Sequence, residues 1–357
     1  MDKKLKVAVI GVGGISSVHI KGYLALDNVE LYALCDINPD TLARKGEKYG
    51  ITRLYTDHRK MLEELPEIDM VSVCTWNSAH AECTIDALNA KKHVICEKPM
   101  AMNVAQAQAM LKAAKDNDRL LMIGFVRRFG NDAAITKDFI ENGYLGDIYY
   151  AKASYLRRNG APGGWFGDKE RSGGGPMIDL GVHVIDLVRY LMGGPQPVSV
   201  YGATFNKLGD FSDVKAVKTG AYKSETGGEH IFNVEDLACA MIRFDNGAVL
   251  YIEASFTLHT QDPAGDVELF GTKAGVKIGA NDVKIATQAN GYLVDQNFFG
   301  KTGLSFEGLF ENEIRHFVDC VANGTPCRAP AEDGVTLMKI LCAAYESART
   351  GHEVIIG

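Results

Sequence analysis

Leu5-Lys6-Val7-Ala8-Val9-Ile10-Gly11-Val12-Gly13-Gly14-Ile15-Ser16 is an apolar run that ends on a glycine, passes through a glycine-rich turn and enters a helical stretch reaching to about Leu26. The turn is a G-x-G-x-x-G variant with Ser16 in the third place. Gly11 and Gly13 allow a tight turn and close backbone approach to a pyrophosphate. Gly14 and Ile15 open the following helix, whose N-terminal N–H groups suit an anion. Ser16 is small enough for helix–strand packing, and strand, motif and helix together point to a dinucleotide site.

The rhythm continues outward from there. Further apolar strands are expected at 30–35, 70–75, 93–96 and 120–125, with helices at 41–49, 59–65, 80–90 and 104–117 between them. Such near-continuous apolar strands alternating with helices predict a doubly wound parallel sheet covered on both faces. Asp36 ends the second strand, where an acidic residue hydrogen-bonds the adenosine ribose. Its charge repels a 2′-phosphate, and Ile37-Asn38-Pro39 supplies no compensating arginine, so NAD is favoured over NADP. The alternative is that Asp36 caps the turn before the next helix. Thr75-Trp76-Asn77 ends another strand at the ligand-binding edge. There Trp76 could line the nicotinamide-ribose crevice or be a packed strand-end aromatic. Glu97-Lys98-Pro99 follows the strand His93-Val94-Ile95-Cys96, placing Lys98 to meet a substrate that faces the nicotinamide. His19 and His80 read as structural or capping groups at helix starts.

The pattern changes after Phe125. A helix is expected at 135–142 and a long strand at 147–158, on which Arg157 and Arg158 would point to opposite faces. Gly173-Gly174-Gly175-Pro176 precedes a helix opened by the proline. Asp179, His183 and Asp186 then share one face at i, i+4 and i+7, while Leu180, Val184, Leu187, Val188 and Leu191 form the core stripe. One histidine with two aspartates is a poor zinc set, so no metal is expected. Strands follow at 198–204, 237–244, 248–258, 267–270 and 275–278, with Asn246-Gly247 as a hairpin turn. They suggest a large, mostly antiparallel open sheet, a face often buried by self-association. The polar, glycine-rich segment 206–229 reads as a loop insertion, and helices return at 310–323 and 331–349 before the short run 353–356.

With 357 residues and 46% hydrophobic composition, the chain can fill more than one core. The expected division is a dinucleotide-binding domain at 1–125, a substrate-binding and oligomerisation domain at 126–330, and a C-terminal helix and tail at 331–357. Lys plus Arg number 38 against 45 Asp plus Glu, a net charge of -7, which argues against nucleic acid as a partner. No basic amphipathic stretch points to a membrane surface, and there is no run of ~18 apolar residues. Met1-Asp2-Lys3-Lys4-Leu5 lacks the apolar stretch of a signal peptide. The eight cysteines are scattered without a Cys-x-x-Cys pair, so a reducing cytoplasm is the expected location.

In this order Gly11–Ser16, Asp36, Cys74-Thr75-x-Asn77-x-x-His80, Glu97-Lys98-Pro99 and Gly173–Asp186 resemble the motifs of the Gfo/Idh/MocA oxidoreductases, and 313–354 is similar to their closing part. Trp76 departs from that pattern, which more often has proline there. The resemblance implies a nicotinamide-dependent dehydrogenase of sugars, cyclitols or glycosides. It implies a Rossmann domain and a C-terminal α/β domain whose open sheet forms homodimers or homotetramers, with the last helix packed back on the first domain. Carried to the matching positions, Thr75, Trp76, Asn77, His80, Glu97 and Lys98 would lie along the cofactor, and Lys98 would hold the reacting hydroxyl opposite Asp179 and His183. Removing a hydride from a carbinol leaves a proton to be taken up, and histidine, with a pKa near ~6.5, suits that task. Lys98 would stabilise alkoxide charge or carry the proton itself. The stretch Tyr155–Phe166 resembles the bacterial branch acting on glucosides, where Arg157 could meet the substrate and Trp165 could stack on a sugar ring. Two alternatives stay open: a glycoside-modifying enzyme working through a 3-keto sugar with tightly held NAD, and a nicotinamide-sensing protein without turnover.

Overall fold

A computed structural model gives the protein's structure, describing residues 4–211, 214–215, 231–279, 282–300, 302–303 and 306–357. The first part alternates β1 (Leu5–Ile10), α1 (Ser16–Leu24), β2 (Val29–Cys35), α2 (Pro39–Tyr49), β3 (Leu54–Tyr55), α3 (His58–Glu64), β4 (Met70–Val73), α4 (His80–Asn89), β5 (His93–Glu97), α5 (Val104–Asn117) and β6 (Leu121–Gly124). The strands lie in the order β3-β2-β1-β4-β5-β6, every neighbouring pair parallel. Val7, Val9, Val71, Val94 and Ile95 are wholly buried, as apolar strands covered on both faces must be. The expected doubly wound sheet is therefore present. It gains β3, a two-residue strand too short to show a period. Helix α2 starts before the expected Thr41, because the Asn38 side chain accepts from the N–H groups of Asp40 and Thr41 and Pro39 fills the first turn.

The strand order reverses between β1 and β4, which opens a crevice beyond their carboxyl ends. Gly11 sits there with φ +83°, and a Cβ on it would lie 2.7 Å from the backbone carbon of Cys74. Only glycine satisfies both the dihedral and this closeness.

A short 3-10 turn, Val126–Phe129, leads into the second part: α6 (Asn131–Glu141), β7 (Ile148–Leu156), α7 (Lys169–Ser172), a π-helical turn Met177–Gly181, α8 (Val182–Leu191), β8 (Pro197–Phe205), β9 (Leu237–Phe244), β10 (Val249–Ser255), β11 (Val267–Gly271), β12 (Ala274–Ile278), β13 (Val283–Ala289), β14 (Tyr292–Asn297), α9 (Phe306–Asn323), α10 (Ala331–Thr350) and β15 (Val354–Ile355). Nine strands form one sheet, β14-β13-β12-β11-β7-β10-β9-β8-β15, in which β7–β10 is parallel and the other pairs antiparallel. The hairpin at Asn246-Gly247 forms as expected, with Gly247 at φ +85°. Strands β13 and β14 were not expected, although Asn290-Gly291, with φ +52° and +82°, carries the same turn chemistry between them. Most of the expected loop insertion, at 212–213 and 216–229, lies outside the described residues.

One face of this sheet is covered by α8 and α10, and α10 also reaches α5 and β6 of the first sheet. The helix expected to fold back on the first domain thus straddles both sheets, and the tail joins the second as β15 beside β8. Another crossing contact is α9 on α1, where a Cβ on Gly22 would come within 2.9 Å of Ile314. Among the described residues no helix is long and apolar enough to cross a membrane.

A buried ion network pins the turn that joins the two parts. Arg128, 2% exposed, donates from Nε and Nη2 to both oxygens of Asp186 at 2.9 and 2.6 Å, and from Nη1 to Asp333 Oδ2 at 2.8 Å. Arg189 takes the other oxygen of Asp333. The network ties α8 and α10 to the turn that ends the first domain. Removing one member leaves buried charges without partners, so Arg128→Ala is expected to lower the unfolding free energy by about 3–5 kcal/mol in a urea titration, and a loss below about 1 kcal/mol would show the network to be dispensable.

Candidate active site

A cavity of ≈ 280 Å3 opens between the carboxyl ends of β4 and β5 and the π turn that precedes α8. That is near the lower end of about 300–1,000 Å3 for ligand pockets. Lys98 enters from the end of β5 and donates to Asp179 twice, to Oδ1 at 2.8 Å and to the backbone carbonyl at 2.9 Å. The two side chains are only 14% and 12% exposed. His183 lines the same cavity, with Nδ1 buried and without a hydrogen-bond partner. Burial first, and then the positive charges of Lys98, Arg127 and Arg157, push its pKa well below the ordinary histidine value. The imidazole is therefore neutral, with one nitrogen lone pair free to take a proton.

The local sequence explains how Asp179 reaches this position. A Cβ on Gly174 would meet the Tyr345 hydroxyl at 2.1 Å, and one on Gly175 the Glu235 carbonyl at 2.2 Å. Glu235 in turn accepts from the N–H groups of Gly175 and Met177, at 2.9 and 3.3 Å, and from the Tyr345 hydroxyl at 2.7 Å. It thereby caps the segment that begins at Pro176. The segment's first turn is π-helical, which adds a residue to the ladder, so the i, i+4, i+7 row does not stay on one face. Asp179 and His183 face the cavity, whereas Asp186 turns inward to Arg128, which corrects the expectation of a shared face.

The glycine turn fits a dinucleotide. An ideal Cβ on Gly13 meets nothing within 4 Å, so open space lies beside its backbone. Helix α1, with Ile15 as its N-cap, has no side-chain cap; the N–H groups of Ser17 and Val18 bond the Gly14 and Ile15 carbonyls at 3.2 and 3.1 Å, and the positive end of the helix remains to attract a phosphate. Gly14 precedes this start, and Ser16 closes the turn by donating to Gly13 O at 2.7 Å. Asp36 stands at the end of β2, its oxygens accepting from Val12 N and Asn38 N at 2.8 Å each. Lys45 on α2, absent from the sequence reading, donates to Ser17 Oγ at 2.7 Å and Gly13 O at 3.2 Å, adding positive charge behind the turn.

The remaining expected residues divide. Thr75, Asn77 and Glu97 line the cavity, and Asn77 also donates to Ser172 O at 2.7 Å. Trp76 lies under the Arg171 guanidinium, 4.9 Å away, and is not among the cavity residues. His80 is buried between Pro99 O at 2.7 Å and Thr75 O at 3.2 Å, so it braces the two strand-end loops. Strand β7 stops at Leu156, so Arg157 and Arg158 lie beyond it. Arg157 lines the cavity and donates to Gly160 O at 2.9 Å, and Arg158 does not line it. Trp165 stacks on Phe166 with centroids 4.0 Å apart, and both form part of the wall.

Three contributors went unread in the sequence. Arg127 and Asp132, paired at 3.4 Å, line the cavity from the connecting turn and α6. Phe310 closes the wall from α9. Behind Lys98, Glu97 bonds His19 at 2.9 Å and the Lys98 N–H at 3.2 Å; burial raises its pKa, but the His19 bond brings it below the usual carboxylate value. Glu313 of α9 joins this pair with both oxygens buried and without partners. Burial, then the charges of Glu97 and Asp186, push its pKa well above the ordinary value, which favours its protonated form. An acidic residue set among Phe310, Ile314 and Phe317 was the available signal.

Comparisons with known proteins agree with this fold. The family model described as oxidoreductase family, NAD-binding Rossmann fold, matches residues 5–125, and that of its C-terminal alpha/beta domain matches 137–356. The chain is 34% identical over 353 residues to D-glucoside 3-dehydrogenase of Escherichia coli K12, covering 98% of this chain and 97% of that protein. It is 30% identical to myo-inositol 2-dehydrogenase of Thermotoga maritima, with 96% of each covered. The structure of levoglucosan dehydrogenase in complex with NADH superposes with a TM-score of 0.86 at 25% identity, covering 99% of this chain and all of that one.

Two outcomes test the site. Gly13→Val should keep the fold, since its Cβ meets no neighbour, yet lower NAD affinity at least about tenfold, or about 1.4 kcal/mol, by calorimetry; unchanged affinity would place the dinucleotide elsewhere. Because Glu313 keeps its proton in the folded state and loses it when unfolded above its ordinary 4.5, its burial costs stability increasingly as pH rises. Glu313→Gln removes that cost, so its melting temperature should gain on wild type between pH 5 and 8, and a constant difference would mean that the carboxyl is ionised.

Proposed function

The chain belongs to the Gfo/Idh/MocA oxidoreductase family, and from that membership we propose that Lys98, Asp179 and His183 oxidise a ring hydroxyl of a glucoside or related pyranoside, with NAD as acceptor. The observation that carries this reading is the Lys98–Asp179 ion pair beside a neutral, unpartnered His183 in one cavity. NAD, when bound, accepts the hydride from the carbinol carbon; Gly11, Gly13, Gly14, Ile15 and Asp36 are the residues suited to hold it. His183 takes the hydroxyl proton, for which a neutral imidazole is required. The Lys98 ammonium stabilises the charge growing on the oxygen, and Asp179 holds that ammonium in place, a preorganised arrangement that needs no reorganisation during reaction.

The sugar reading rests on the wall. Trp165 and Phe166 offer an apolar surface to the C–H face of a ring, and Arg127, Asp132 and Arg157 offer charged hydrogen-bonding groups to its hydroxyls. Likeness to a D-glucoside 3-dehydrogenase supports the C3 hydroxyl, and thus a 3-keto product, over an inositol. The enzyme is proposed to self-associate through the open face of the nine-stranded sheet, where Tyr201 is 54% and Met241 50% exposed. Eight free thiols support a reducing cytoplasm as its location.

Purified protein should reduce NAD in preference to NADP with at least one member of a panel of glucosides, aldoses and inositols, followed by reduced-nicotinamide absorbance with the product carbonyl located by NMR. Lys98→Ala is expected to lower kcat by about 10²–10³-fold. Equal turnover by wild type and Lys98→Ala would remove the lysine from the chemistry, and NADP preference would overturn the role given to Asp36.

A further inference from the structure

A second constellation lies away from the cleft, where α9 ends. His316 and Cys320 are one helical turn apart, and the chain then bends through Gly324-Thr325-Pro326 to bring Cys327 back beside them. His316 Nε2, Cys320 Sγ and Cys327 Sγ all lie within 4.8 Å of one another. Nε2 is 3.4 Å from Cys320 Sγ, and the Cys327 thiol is hydrogen-bonded to both partners. Tetrahedral zinc, with bonds of about 2.0–2.1 Å to nitrogen and 2.3 Å to sulfur, sets neighbouring donors about 3.5–3.8 Å apart. His316 and Cys320 stand at about that separation, and Cys327 lies within 4.8 Å of both, so a small inward shift of its thiol would complete the three.

We propose that His316, Cys320 and Cys327 form a binding site for a thiophilic divalent cation of the zinc class, separate from the cleft, with its remaining coordination position open on the Cys327 side. His316 and Cys320 are each 8% exposed, and Cys327 is the half-buried member through which an ion enters. On binding, each thiol releases its proton to solvent and its sulfur lone pair goes to the metal; no electron is transferred. Two thiolates cancel the charge of the dication, so the adjacent Arg328 side chain meets a neutral centre. The imidazole lone pair is presently taken by the Arg328 N–H at 3.0 Å, and that amide must turn away as the metal binds. It belongs to the segment between α9 and α10, which is bridged to β6 only further on, at Ala329 and Pro330. The site would tie the end of α9 to this segment, whose Arg328 carbonyl accepts from Arg128, the residue that pins the cleft-lining turn.

The full-length chain, stripped with chelator and kept reduced with a phosphine, should take up a single zinc ion by native mass spectrometry when Zn2+ is added, and should then melt at a higher temperature. Co2+ should give thiolate-to-metal charge-transfer absorption together with the intense visible bands of tetrahedral cobalt. Cys320→Ser and Cys327→Ser should each weaken metal affinity at least about tenfold and reduce that charge-transfer intensity. Absence of the charge-transfer band in the reduced wild-type chain would overturn the proposal. Unaltered affinity in both serine variants would overturn it too, and would direct attention to the other cluster of possible ligands at His19, Glu97 and Glu313.

Discussion

The ion pair between Lys98 and Asp179 joins two halves built on different principles, and most of the site's architecture serves to hold its ends. Lys98 arrives on a parallel strand of a doubly wound sheet, fixed by neighbours on both sides. Its own N–H is held by Glu97, which His19 anchors from α1. Asp179 arrives on a π turn that a glycine-rich approach and the buried Glu235 hold in register. An ammonium and a carboxylate so little exposed are costly to separate, because either charge left alone would be poorly solvated. The pair therefore fixes the cleft's width and sets Lys98 in place before any substrate arrives.

Around that pair the electrostatics are asymmetric. Lys98, Arg127 and Arg157 all act on His183, and together with burial they keep the imidazole neutral. The same cations suit a developing alkoxide. Favouring a negative charge on the substrate oxygen lowers the barrier to removing the hydroxyl proton, while the imidazolium then formed on His183 is disfavoured by the same cations. Glu313, neutral behind the Glu97–His19 pair, avoids adding an unpaired negative charge to the interior.

Much of this was legible in the sequence because strand ends carry local signals. Gly11, Gly13, Asp36 and Lys98 each follow a recognisable apolar strand, and a parallel sheet places such ends along one edge. Asp179 and His183 were found through the helix that Pro176 opens. What escaped depended on departures from regular periods or on distant partners. The π turn broke the 3.6-residue spacing, so Asp186 went to Arg128 instead of the cavity. Strand β7 ended a residue before Arg157, so the two-face argument for Arg157 and Arg158 rested on a strand that was not there. For Trp76 two places stayed open, the crevice or a packed strand end, and its partner Arg171 lies far along the chain. Arg127, Asp132 and Glu313 reach the site only through packing of the connecting turn, α6 and α9, which no local pattern announces.

The account turns on His183 being neutral while Lys98 and Asp179 are paired beside it. Its most direct measurement is an NMR titration of the full-length enzyme carrying carbon-labelled histidine, with the His183 resonance assigned by its loss in His183→Asn. The imidazole is expected to stay unprotonated well below the ordinary value of about 6.5. A His183 that titrates well above that value would be cationic at neutral pH, and would contradict its place as the group that takes the hydroxyl proton.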